Sequence, residues 1–220
     1  MGAGNSSVAF SFKEAKKMKA EMLRLQTENK RLYKKAYIDG LTGIPNRVFF
    51  EEEFEKAWEE GKKEKTPLLL VFMDGDGLKA INDSFGHSAG DKYIIEMANF
   101  LASLFHSEDF AARIGGDEFV VLMPDPGELK ASEAVERILE ALSDKYVYVR
   151  GGTSIKLRMS VGAVKGIPEK DFKSPEEMLT AADASMYRIK GTIKKKLKKF
   201  FMGIYLRATK QDIIFFCKKK

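Results

Sequence analysis

Cysteine is nearly absent from this 220-residue chain: Cys217 stands alone, so no intrachain disulfide can form, and a reducing compartment fits. Long apolar runs are missing too. The two most apolar stretches near the C-terminus, Phe200 to Leu206 and Ile213 to Phe216, fall short of the ~20 residues a spanning helix takes. No secretory signal peptide is visible, and Cys217-Lys-Lys-Lys lacks the aliphatic positions of a prenylation box. No GxxxxGK[ST] phosphate loop occurs anywhere, so a nucleotide site must hold its phosphates by metal and lysines. These absences predict a cytoplasmic protein, with membrane association through its surface left open. No nucleic-acid partner is expected.

What is present is acid at strand ends. Arg113-Ile114-Gly115-Gly116-Asp117-Glu118-Phe119 sits between two apolar runs, Phe110 to Ile114 and Phe119 to Met123. The pattern predicts a β-hairpin whose glycines supply positive φ at the tip. Adjacent Asp117 and Glu118 would repel each other unless a cation lay close. A second acidic tip follows Leu68 to Met73, a continuous apolar run that reads as a buried strand and ends in Asp74-Gly75-Asp76-Gly77. Two acid-tipped strands in one small domain predict a divalent-metal site built on carboxylates, of the kind that Mg²⁺ completes with phosphate oxygens and water.

Two decoys fail. An EF-hand loop starting at Asp74 would need an acid or Asn, Gly and Glu where Leu78, Lys79 and Phe85 stand. A dinucleotide fingerprint at Gly75-x-Gly77-x-x-Ala80 would set Asp74 and Asp76 against a pyrophosphate.

Four segments then resemble, in order, the GGDEF domain, the catalytic domain of diguanylate cyclases. They are Asp39-Gly-Leu-Thr-Gly-Ile-Pro-Asn46-Arg47; Asp74 through Asn82-Asp83 with Gly86-His87-x-x-Gly90-Asp91; the hairpin; and Ala182-Asp183-x-x-Met186-Tyr187-x-x-Lys190. The resemblance covers about residues 37–195. It implies an α+β fold, a βαββαβ palm-like antiparallel sheet flanked by helices. The coarse pattern agrees, predicting helices over 47–64, 91–105, 131–142 and from Pro175 to about Lys194. Strands are expected up to Met73, in the hairpin, and near 147–149 and 156–164.

The resemblance also implies chemistry: two GTP condensed into cyclic di-GMP by attack of a ribose 3′-hydroxyl on an α-phosphorus, with Mg²⁺ or Mn²⁺, two per active site. Asp74, Asp117 and the Gly75 carbonyl would be metal ligands. Asp117, Glu118 and Lys79 would be the catalytic set. Asn82, His87 and Asp91 would bind guanine, and Lys190 and Lys194 the phosphates. Three departures stand out. Gly75 replaces a branched apolar residue and is expected to loosen the strand end. Lys194 replaces an Arg and loses its bidentate fork. His106 stands where a product-binding Arg is usual, so no product inhibition is expected through that site and its partner Asp109.

Outside this region, residues 1–10 read as an unstructured or non-native leader. Residues 11–36 carry a heptad seam: Ala15, Met22, Asn29 and Ala36 alternate with Met18, Leu25 and Leu32. An apolar seam with one Asn at an a position predicts a parallel two-stranded coiled coil and hence a homodimer. The alternative is an amphipathic helix packed on its own domain. No upstream sensor is visible. From Arg188 onward the chain has 12 Lys or Arg and one acid, a charge of +11. Residues 1–187 therefore carry −5, against +6 for the whole chain. The basic, aromatic-rich tail over 196–220 suits an anionic membrane surface, or alternatively an extra element on the domain.

Overall fold

The computed structural model describes residues 4–105, 109–149 and 152–188. The tail over 196–220, with Lys190, Lys194 and His106, lies outside the described residues. The elements run α1 (Gly4–Tyr37), α2 (Arg47–Glu64), β1 (Leu68–Gly75), α3 (Leu78–Phe85) and α4 (His87–Leu104). The hairpin β2 (Phe110–Gly115) and β3 (Glu118–Pro124) comes next, then α5 (Ala131–Leu142), β4 (Tyr146–Tyr148), β5 (Ser154–Lys156) and β6 (Met159–Gly166). A last helix, α6, covers 175–188.

Four strands form one antiparallel sheet in the order β2-β3-β1-β6, and β4 pairs separately with β5. This is the expected palm-like architecture. β1 is apolar from Leu68 to Met73 because both of its faces are covered there. Leu69, Val71 and Met73 pack on one side with Tyr93, Met97 and Leu101 of α4 and Ile138 of α5. Leu68, Leu70 and Phe72 pack on the other with Phe50, Phe54 and Trp58 of α2 and Met178, Ala182 and Met186 of α6.

Three boundaries depart from expectation. α3 was not anticipated: it has 8 residues, begins after Gly77 (φ 88°) and stops at Gly86 (φ 83°), too short for a periodic signal. α4 begins at His87, not at Asp91, so Asp91 lies in its second turn and is no cap. The strand expected over 156–164 is two strands. Between them the Leu157 amide donates to the Lys145 carbonyl (2.9 Å) and the Arg158 amide to the Tyr93 hydroxyl (2.8 Å), which takes both out of the main ladder.

α1 stands away from the sheet. Its residues 14–36 are all exposed, Met18, Met22, Leu25 and Leu32 among them. Over these residues α1 does not lie along its own domain. The helix starts at Gly4, inside the stretch read as an unstructured leader, because a nucleated helix extends at little cost. Its C-terminal end is fastened by Asn46, whose amide donates to the Ala36 carbonyl (2.7 Å) and whose Oδ1 caps α2 at the Phe49 amide (3.1 Å). No helix among the described residues is long and apolar enough to cross a membrane.

Candidate active site

The two acidic tips meet at one end of the central strand pair. Asp74 at the end of β1 faces Glu118 at the start of β3 in register, and the Gly75 amide donates to the Asp117 carbonyl (2.9 Å). Asp74, Asp117 and Glu118 are all half-buried. Gly75 does not loosen this end. A Cβ there would lie 2.7 Å from Met97 Cε and 3.1 Å from Asp117 Cβ, so the buried Met97 side chain takes the space and brings Asp117 close.

The hairpin glycines serve a different purpose from the one expected. Neither Gly115 nor Gly116 has a positive φ. A bulge between Arg113 and Gly115 makes the turn, leaving Gly116 and Asp117 as a two-residue tip. A Cβ on Gly115 would sit 2.7 Å from Glu118 Oε2, so the end of that side chain would have to turn aside.

Arg113 holds the tip, and its sequence neighbours gave no sign of this. Its Nε and Nη2 donate to the Gly116 carbonyl (3.0 and 2.8 Å) while Nη1 donates to both oxygens of Asp39 (2.9 and 3.1 Å). Asp39 also accepts from the Thr42 hydroxyl (2.6 Å) and amide (2.9 Å). Burial pushes the Asp39 carboxyl up, but the bonds from Thr42 and Arg113 outweigh it and hold the group below its ordinary value. Arg47 adds a bond from Nε to the Ile114 carbonyl (2.9 Å).

On the neighbouring helices, α3 carries Lys79 and Asn82, and α4 carries His87 and Asp91. Lys79, His87 and Asp91 are exposed. Asn82 lies against Gly90, where a Cβ would be 1.9 Å from its Oδ1, so this glycine lets α3 and α4 close together. Asn82 Oδ1 is buried and accepts no hydrogen bond from the described residues. Asp109 lines a separate cavity of about 140 Å³ together with Phe105, Met123 and Arg137. Arg137 comes from α5 and was not anticipated there.

No group of three or more His, Cys, Asp or Glu side chains that could hold a metal is found among the described residues. The donors at the tips are hard oxygens: the carboxylates of Asp74 and Asp117 and the Gly75 carbonyl. Few carboxylates with room for phosphate and water fit Mg²⁺ or Mn²⁺ rather than a softer ion.

The architecture is thus a palm-like α+β domain with carboxylates at the ends of its central strands and a helix pair beside them. Residues 36–196 match the family model described as "Diguanylate cyclase, GGDEF domain", and the chain belongs to this family. It is 32% identical over 166 residues to the bifunctional diguanylate cyclase/cyclic di-GMP phosphodiesterase MucR of Pseudomonas aeruginosa, covering 76% of this chain and 24% of that one. It is 33% identical over 183 residues to the diguanylate cyclase DgcN of Escherichia coli, covering 82% and 43%. The chain thus spans less than half of either relative. Among solved structures it resembles the coiled coil and GGDEF domain of DgcB from Caulobacter crescentus in complex with c-di-GMP. That match has a TM-score of 0.72 at 27% identity and covers 81% of this chain and 93% of that one.

Proposed function

We propose that this chain is a diguanylate cyclase that joins two GTP into cyclic di-GMP, releasing two pyrophosphates, and that it works as a dimer paired through α1. The observation that carries this reading is Asn82 Oδ1, a buried acceptor with no donor from the described residues. It packs on Gly90, the residue before Asp91, whose side chain is exposed. A buried polar atom left unpaired is costly, and guanine supplies what these acceptors need through its N1–H and exocyclic amine. Adenine offers no such pair, so GTP is favoured over ATP.

With the base held at Asn82 and Asp91, and His87 nearby, the triphosphate runs towards Lys79 and the strand tips. Asp117 takes the proton of the 3′-hydroxyl as its oxygen bonds to the α-phosphorus of the second GTP. The bond from that phosphorus to the α–β bridging oxygen breaks, and pyrophosphate leaves. The same step in the opposite direction closes the ring. Glu118 keeps the tip anionic, while Lys190 and Lys194, by the resemblance, neutralise the phosphates. Divalent cations held by Asp74, Asp117 and the Gly75 carbonyl would lower the charge on the attacking and leaving oxygens. Each domain holds one GTP, so a symmetric product requires two domains face to face, and the exposed seam of α1 is suited to bring them together.

Incubation with GTP and Mg²⁺ over a range of protein concentrations, with cyclic di-GMP scored by chromatography, tests this. A specific rate that rises with concentration is expected, and Asp117→Ala should abolish turnover with the fold intact. Bound GTP without product would move the chain to a silent, GTP-binding class. Turnover surviving in Asp117→Ala would overturn the assignment of that carboxylate.

A further inference from the structure

Tyr93 is almost fully buried, at 1% exposure, and its hydroxyl is the hub of a small polar network. It accepts from the Arg158 amide (2.8 Å) and shares its proton between the carbonyls of Asp76 (3.1 Å) and Arg158 (3.0 Å). The Arg158 carbonyl also accepts the Asp76 amide (3.0 Å). Ser160, the one polar residue that is itself buried among the described residues, shares its hydroxyl proton between the two carboxylate oxygens of Asp76, both at 3.0 Å. Asp76 is thereby held at its amide, its carbonyl and its carboxylate.

Two connections give this network a function. Asp76 directly follows Asp74 and Gly75, so whatever fixes it fixes the end of β1. Tyr93 lies two residues after Asp91 on α4, about 3 Å along the helix axis. We propose that Tyr93 is a positioning residue: its hydroxyl, together with Ser160, sets the distance between the helix that recognises the base and the loop that bears the carboxylates. This rests on the cyclase reading above. A triphosphate anchored at its base by α4 reaches the carboxylates in the correct place only if that distance is kept, and partners one step behind the ligating groups commonly control both metal affinity and rate. Tyr93 also satisfies the Arg158 backbone at the break between β5 and β6, so a purely structural role is the competing explanation.

Tyr93→Phe removes one oxygen and keeps the ring. The decisive measurement is Mn²⁺ binding, followed by loss of the free-ion electron paramagnetic resonance signal. It is made with a GTP analogue whose α–β bridging oxygen is a methylene, so that no turnover occurs. Tyr93→Phe should weaken Mn²⁺ binding by about 10-fold while leaving the metal-free affinity for the analogue unchanged. With GTP itself, kcat should fall and KM stay close to that of the unmodified protein. Ser160→Ala should act in the same direction, and Ser160→Thr, which keeps the hydroxyl, should restore the unmodified behaviour. A lower melting temperature with unchanged Mn²⁺ affinity and kcat in both Tyr93→Phe and Ser160→Ala would reduce the network to a structural one and overturn the proposal. If the unmodified protein takes up no Mn²⁺ with the analogue, the metal-site reading falls and takes this inference with it. If it does, and Tyr93→Phe binds the ion equally well, the inference alone falls.

Discussion

Gly115 and Gly116 are neighbours of identical chemistry, yet they meet different surroundings. A methyl group on Gly115 would press on the carboxylate of Glu118, whereas one on Gly116 would meet nothing within 4 Å. The first glycine therefore leaves room for the present position of the Glu118 carboxylate, and the second only leaves the tip open. Arg113 works on the same few ångströms from the other side, pinning the Gly116 carbonyl and holding the carboxylate of Asp39. The Asp39 carboxyl titrates below its ordinary value in the folded state, so its stabilisation is complete above the unfolded pKa of about 4 and is lost as pH falls through the lowered value. At pH 7, Asp39→Asn should cost about 1.5–3 kcal/mol, the range for hydrogen bonds to charged groups. In urea titrations the gap from the unmodified protein should shrink on acidification below pH ~4. A gap that stays constant with pH would mean that the clamp does not depend on the charge of Asp39.

At the scale of elements, α6 meets β6 backbone against backbone. A Cβ on Gly162 would lie 2.1 Å from the Met186 amide nitrogen and 2.5 Å from its Cα. These are backbone atoms of a helix, so no rotamer change can relieve the clash and α6 would have to move as a body. Ser174 starts that helix, its hydroxyl accepting from the Glu177 amide at 3.2 Å, and Met178, Ala182 and Met186 bury its inner stripe. Thermal unfolding of Gly162→Ala should show a loss of about 1–3 kcal/mol, the cost of overpacking a filled core. Gly116→Ala, with open space around it, is the control and should unfold with the unmodified protein. Equal melting points for the two variants would mean that the helix seats itself without this glycine.

At the scale of the whole molecule, the sheet and its helices are closed on themselves while α1 is not. Its seam of Met18, Met22, Leu25 and Leu32 is apolar and uncovered in a single chain, and a second copy of the same helix matches it in period and polarity. Burying a leucine contributes about 1.5–3 kcal/mol, so in the proposed dimer a few such layers would give a pairing that dilution can break. Leu25→Asp should sediment as a monomer, bind GTP as before and make no cyclic di-GMP. A dimer that survives this change would place the pairing surface elsewhere.

What the sequence determined by itself is whatever is written in short-range pattern. α2 and α5 begin and end at the residues their apolar period marks, the apolar run of β1 declares a strand covered on both faces, and the acidic tips are visible as letters in order. Tertiary structure decided how those letters meet. The bond from Arg113 to Asp39 spans 74 residues, and no local signal encodes it. α3 is too short to show a period, and α4 starts four residues before Asp91. The break between β5 and β6 exists because the Tyr93 hydroxyl and the Lys145 carbonyl draw two amides away from the ladder. Gly75 looked like a weakness until Met97, distant in sequence, proved to fill its place. Periodicity records which way each residue faces, whereas a site depends on which faces are packed together, and only the closed core determines that.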